Sequence, residues 1–157
     1  MSKFHLKNFF KNAYDLMLVF LQFFIISLHF FQWEIIPQKQ IIQVNPISFF
    51  MGFLIIIIAF IILLVAIKDL GSNLSPFPRP KKNINLVTKG IYRFTRHPMY
   101  YSLIFISFGV FITKLSTYYL FLTISLGLII KFKIALEEQY LNNKFKNYLL
   151  YKNEVKY

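Results

Sequence analysis

Ile47-Ser-Phe-Phe-Met-Gly-Phe-Leu-Ile-Ile-Ile-Ile-Ala-Phe-Ile-Ile-Leu-Leu-Val-Ala-Ile67 carries no charged side chain. At 1.5 Å per residue it makes about 31 Å of helix, enough to cross the hydrocarbon core of a bilayer. The rest of the chain agrees. With 57% of its 157 residues hydrophobic and 15% charged, and a mean hydropathy of +0.54, it is too apolar for a soluble domain of its length. Residues 1–157 therefore read as one membrane domain. The absence of cysteine excludes disulfides, thiolate metal sites and cysteine nucleophiles. His5, His29 and His97 are too scattered to form a local ligand set, so no protein-bound metal is expected.

Three more apolar stretches flank this one. Tyr14 to Phe31 follows Lys3, Lys7 and Lys11 and ends in Phe-Phe-Gln-Trp-Glu rather than a small-residue cleavage site, as a retained signal anchor does. Trp33 and Pro37 mark the interface and turn before the second span. Pro98 to Ile112 is short and polar at its start, and Leu115 to Ile130 follows after Lys114. Together these two predict a tight helical hairpin. The expected fold is all-α and polytopic, with about four transmembrane helices including a C-terminal hairpin. Residues 1–67 supply two spans, and residues 68–157 supply a cytoplasmic loop, the hairpin and a tail.

Positive charge tests this layout independently. Three lysines precede the first span, one (Lys39) lies in the first loop, seven basic residues lie from Lys68 to Arg96, one (Lys114) is at the hairpin tip, and six follow from Lys131. That alternation is what the positive-inside rule requires of four spans with both termini in the cytoplasm. The net charge of +12 reports topology and attraction to anionic membrane lipids. The basic residues are segregated by loop and no nucleic-acid motif is present, so a nucleic-acid partner is not expected.

Arginine is used sparingly. Arg93 and Arg96 sit with His97 in Gly90–Tyr100, Arg79 lies shortly upstream, and every other basic residue is lysine. In such a chain an arginine marks a place that wants a planar fork for carboxylate or phosphate, although anchoring of a helix end at lipid headgroups would also use it. The loop Leu70–Pro80 carries Pro76, Pro78 and Pro80 and must be extended, as a spacer or as a rim across a ligand. Asn85–Gly90 reads as a short segment closing in a glycine turn. In the tail, Leu141, Phe145, Tyr148 and Leu149 follow helical spacing and predict an amphipathic cytoplasmic helix. The tail also holds Glu137, Glu138 and Glu154, half of all the acids. The adjacent pair either starts the tail helix at its positive end or faces the arginines.

Those two features can be joined. Pro98 suits the first turn of the third span with His97 near its cap, so the free N–H groups there point to the same side as Arg93 and Arg96. The hairpin returns Glu137 and Glu138 to that side. The expected site has anion-binding groups on one wall and carboxylates on the other, lined by Tyr92, Tyr100 and Tyr101. It would suit a zwitterionic ligand with a flat ring, meaning a cofactor carrying carboxylate, amine, ribose and purine.

Gly90-x-Tyr92-Arg93-x-x-Arg96-His97-Pro98-x-Tyr100, followed by Glu137-Glu138-x-x-Leu141-x-x-x-Phe145-x-x-Tyr148-x-x-Tyr151, resembles the isoprenylcysteine carboxyl methyltransferase and phospholipid methyltransferase superfamily of integral membrane enzymes. The resemblance covers about residues 70 to 155. Leu70-Gly-Ser-Asn-Leu-Ser-Pro-Phe-Pro-Arg-Pro80 is similar to a stretch in many bacterial members, which implies a bacterial inner (cytoplasmic) membrane. Ile91 stands where the family often has proline, and Lys146 where it often has glycine. The resemblance implies methyl transfer from S-adenosyl-L-methionine to a lipophilic acceptor from the bilayer, through the carboxylate, amine or hydroxyl of a lipid or prenylated molecule. Arg96 and His97, with Pro98 at the helix start, would hold the cofactor's carboxylate, and Glu137 or Glu138 its amine or ribose. Tyr92 and Tyr100 would pack on the adenine or the sulfonium. Arg93 would orient the acceptor, and Arg93 and Glu138 are the candidate catalytic residues.

Three other readings compete. A membrane reductase of sterol-reductase-like architecture would use NAD(P)H, with Arg79, Lys81 and Lys82 on an extra phosphate, although no dinucleotide glycine fingerprint is present. A non-catalytic membrane subunit would recruit a partner through the basic loop. A transporter is disfavoured because the central turns of the spans are uncharged and His29 lies near an end. Phe105, Phe108 and Phe111 would line the acceptor path or simply face lipid.

Overall fold

The computed structural model describes residues 3–31, 39–81 and 84–156, with side chains from Ala13 onward. Trp33, Pro37 and Lys82, each given a role from sequence, fall outside the described residues, as does the His5 side chain. The regular elements among the described residues are helical: α1 Lys3–Leu28, α2 Pro46–Leu70, α3 Pro98–Lys114, α4 Thr117–Lys144 and α5 Tyr148–Glu154, with single 3₁₀ turns at Gly71–Asn73 and Gly90–Arg93. α2 and α4 are long and apolar enough to cross a membrane, while Ala13–Leu28 and α3 are shorter apolar helices.

Local chemistry sets the boundaries. Asn45 Oδ1 accepts the Ser48 N–H at 2.8 Å and Ser48 Oγ accepts the Asn45 N–H at 3.2 Å, a reciprocal cap on α2 with Pro46 in its first turn. α2 stops at Gly71, whose φ of +54° suits glycine. His97 caps α3 and Pro98 occupies its first turn, as the sequence predicts. Ser116 accepts the Tyr118 N–H to start α4.

α4 differs from expectation. The fourth apolar stretch was expected to end near Ile130, but the helix runs unbroken to Lys144. No glycine or proline lies between Leu128 and Lys144 to stop it. Glu137 and Glu138 are therefore deep in α4 rather than at the start of a tail helix. The apolar stripe is divided: Leu141 is on α4, Phe145 lies in the break, and Tyr148 and Leu149 are on the short α5.

The helices pack as an antiparallel row in the order α1, α4, α3, α2. α2 presents the buried small residues Gly52, Ala59 and Ala66 at seven-residue intervals to α3, allowing close backbone approach without a soluble-type hydrophobic drive. Its opposite side exposes Ile57, Ile58, Phe60 and Ile61. Phe105 and Phe108 are also exposed, whereas Phe111 packs against the core. Between α3 and α4 the core contains Tyr100, Tyr119, Leu122, Leu126 and Ile130. His29, just past the end of α1, bonds into the bundle: its Nε2 lies 2.7 Å from Ser107 Oγ, which lies 2.9 Å from Thr123 Oγ1. Beside that end, the Ile41 N–H donates to Leu115 O and the Thr117 N–H to Lys39 O. The other end gathers Asp15, the end of α2, the start of α3 and the end of α4.

Candidate functional site

Gly90 begins the turn that presents the arginine-histidine segment. Its φ is +62°, and a Cβ there would lie 2.0 Å from Asp69 Oδ2. The same oxygen accepts the Ile91 N–H at 2.8 Å, fastening the turn to the last residues of α2. Tyr92 is thereby turned inward and buried, while Arg93 and Phe94 stay exposed.

Arg96 reaches across to α4. Its Nε and Nη2 donate to Glu138 Oε1 at 3.0 and 2.8 Å, and its Nη1 donates to the Val155 carbonyl. His97 Nε2 lies 3.4 Å from the same Glu138 oxygen, and Lys152 Nζ donates to Oε2 at 2.6 Å. Charge-assisted bonds of this kind are stronger than neutral ones, and here they clasp α3, α4 and the tail together. Glu138 is thus in contact with the cationic residues rather than across a cavity from them. Glu137 turns elsewhere: it lines a cavity together with Tyr100, whose ring stacks on His97 with centroids 5.8 Å apart.

Above these groups lies a cavity enclosing about 750 Å³, including the part open to solvent. Tyr92, Arg96, His97, Tyr100 and Glu137 line it from one side, and Leu141, Phe145, Tyr148 and Tyr151 from another. Ser75, Phe77, Pro78 and Pro80 of the proline-rich loop complete the wall, so that loop is a strap over the cavity and more than a spacer. Of the residues singled out from sequence, Pro98 is buried just behind this lining, Glu138 stands behind Arg96, and Arg93 and Tyr101 are not part of the wall.

The phenols are held neutral. Burial pushes Tyr92 and Tyr148 well above the ordinary tyrosine range and Tyr151 up to about 12. Tyr151 donates its hydroxyl to the Tyr92 carbonyl at 2.6 Å. The Tyr148 hydroxyl is buried and has no hydrogen-bond partner among the described residues, a group that calls for ordered water or a ligand atom to satisfy it. Arg96 is matched in charge by Glu138, so Glu137 is the acid that faces the cavity. Such a lining favours a ligand carrying positive charge and a flat ring. Among the described residues, no group of three or more His, Cys, Asp or Glu is placed to hold a metal.

Sequence reasoning passed over Tyr148 and Tyr151 as site residues, although both stand in the tail pattern and both line the cavity. It also passed over Asp15 and Lys133, whose burial contradicts their charge; an acid and a lysine within otherwise apolar helices were the available signals.

Residues 47–148 match the family model for phospholipid methyltransferase. Neither a curated protein nor a solved structure matches the chain. The matched segment runs from α2 to the first residue of α5 and includes the glycine turn, the Arg96–Glu138 clasp and Glu137. Spanning well over half of the chain, that match makes this a member of the phospholipid methyltransferase family.

Proposed function

We propose that this protein transfers a methyl group from S-adenosyl-L-methionine to a lipophilic acceptor at the cytoplasmic face of a membrane. The observation that carries this reading is Glu137, facing an aromatic-walled cavity beside Tyr100 in which the Arg96 charge is already matched by Glu138. A sulfonium with a neighbouring amine is met there by a carboxylate and by ring faces, the latter worth about 0.5–2 kcal/mol. The bound donor would supply a methyl group activated for in-line displacement.

The protein's own task is to hold, orient and exclude water. His97 and the α3 start at Pro98 favour the donor's carboxylate, with Glu138 fixing His97 and the charge-matched Arg96 in place. Tyr92 and Tyr100 face its ring or sulfonium, and the Tyr148 hydroxyl is available to a ribose or purine atom. Arg93, exposed beyond the lining, meets the acceptor's polar end. The family's description favours a phospholipid as acceptor, while a prenylated carboxylate or an isoprenoid hydroxyl would use the same geometry. Four spans, with α1 and α3 crossing beside α2 and α4, would put both termini and the cavity on the cytoplasmic side of a bacterial inner membrane. Because the chain lacks cysteine, single introduced cysteines would report that topology cleanly.

The reductase reading gains no support from its phosphate-binding candidates. Arg79 pairs with Asp15 at 3.2 Å, and Lys81 Nζ donates to the Ser72 carbonyl at 2.9 Å. Calorimetry with nanodisc-embedded protein decides between the two readings. S-adenosylhomocysteine should bind, and Glu137→Gln should weaken it about tenfold, the loss of one charged hydrogen bond. Binding of NADPH in preference to S-adenosylhomocysteine would sink the methyltransferase reading.

A further inference from the structure

Lys133 lies on α4 one turn before Glu137, with 1% of its surface exposed. The donor chemistry above makes no use of it. Its Nζ donates to the Pro76 carbonyl at 2.9 Å and to Gln22 Oε1 of α1, and it lies 5.2 Å from the centre of the Tyr100 ring. A lysine amine withdrawn from water must be met by acceptors. Here they come from the strap and from α1, with a ring face from α3.

The strap needs an external fastening. Its alternating prolines lack N–H groups, so it cannot be secured by its own backbone ladder. Pro76 sits between Ser75 and Phe77, both of which line the cavity. Tyr140 and Lys144 follow Lys133 on the same face of α4. Tyr140 accepts a bond from Arg79 at 3.3 Å, and Lys144 donates to the Lys81 carbonyl. One helix face thus holds the strap at three successive points. α1 backs two of them, through Gln22 on Lys133 and Asp15 on Arg79 and Tyr140, although α1 lies outside the segment that matches the family model.

We propose that Lys133 is a positioning residue that pins the strap over the cavity, with Gln22 of α1 as its second acceptor. Its kinetic consequence rests on the methyl-donor reading; its structural consequence does not. The test is hydrogen exchange of the strap in full-length protein in nanodiscs, followed at residues 72–79, where Ser75, Phe77 and Arg79 carry N–H groups. Lys133→Met removes the donor and keeps the length, and should speed exchange there roughly tenfold by freeing local opening. The donor KM should rise by a similar factor, with kcat changed less than about twofold, since uniform binding is lost rather than transition-state contacts. Gln22→Leu, outside the cavity, should give a milder effect of roughly threefold on strap exchange. It decides the matter should Lys133→Met fail to insert. Unaltered strap exchange in the folded variant would overturn the proposal. Faster exchange in a protein whose wild type binds no S-adenosylhomocysteine would uphold the pin and remove the methyl-donor reading.

Discussion

Gly52 of α2 and Gly109 of α3 face each other so closely that a Cβ on Gly52 would lie 2.7 Å from the Gly109 carbonyl oxygen. A Cβ on Gly109 would in turn lie 2.6 Å from Ile56 Cγ1 and 2.8 Å from the Gly52 carbonyl oxygen. The two helices meet backbone to backbone. Gly109→Ala should therefore destabilise the protein by about 1–3 kcal/mol through overpacking. Gly127→Ala meets nothing within 4 Å and should be neutral or slightly stabilising in its helix. Unfolding midpoints in detergent separate the two, and equal midpoints would contradict the close packing.

The turn at Gly90 carries two independent constraints, the positive φ and the space taken by Asp69. Asp69→Ala should lose the bond to the Ile91 N–H and cost about 1 kcal/mol. Gly90→Ala should cost more. In the double variant the clash is relieved but the backbone remains unfavourable for alanine, leaving a residual penalty of about 1 kcal/mol. A double-mutant cycle on unfolding free energies checks this, and full rescue would show that space alone demands glycine.

Glu138 is the shared partner of Arg96, His97 and Lys152. Glu138→Ala should cost about 2 kcal/mol in stability, because it leaves the partly buried Arg96 without its carboxylate. Glu137→Gln should leave stability closer to wild type and act on donor affinity instead. Measuring both properties on both variants tests the division. If Glu138→Ala unfolded at the wild-type midpoint, the clasp would have no structural role.

Tyr148→Phe removes a buried hydroxyl that has no partner among the described residues. Stability should be unchanged or slightly raised, while affinity for S-adenosylhomocysteine should fall roughly fivefold, about 1 kcal/mol. Tyr151→Phe should do the reverse, losing stability with its bond to the Tyr92 carbonyl. A Tyr148→Phe variant with wild-type affinity would remove that hydroxyl from the ligand site.

Alkaline pH should weaken the fold through these same phenols. Tyr151 ionises at about 12 when folded, against about 10 in an unfolded chain. A pKa raised on folding contributes stability that is complete below pH about 10 and lost as pH rises through about 12. Tyr92 and Tyr148 are raised for the same cause and act in the same direction. Unfolding midpoints recorded from pH 9 to 12 should fall, and fall less steeply in Tyr151→Phe. A flat profile would show the phenols accessible to water.

The uncharged run from Ile47 to Ile67 was legible because composition alone makes a membrane-length helix, and α2 extends it by little at either end. α4 was not, because Lys131 and Lys133 look like the end of a span. The acceptors on Pro76 and Gln22, with the Tyr100 ring face, make a buried lysine tolerable, and those lie far away in sequence. The sequence brings Arg96 and the acid pair to one place, but it cannot separate the two glutamates. Neighbouring helical residues point about 100° apart. Once α4 runs straight through them, Glu138 must turn toward Arg96 and Glu137 toward the cavity.

The clasp around Arg96 draws on Lys152 and Val155, which leave the ribosome after α1 to α4 have been made. Those helices are therefore made while Arg96 and Glu138 still lack two of their neighbours. The clasp that joins these elements is thus completed only once the chain beyond α4 has been made, later than the helices it fastens.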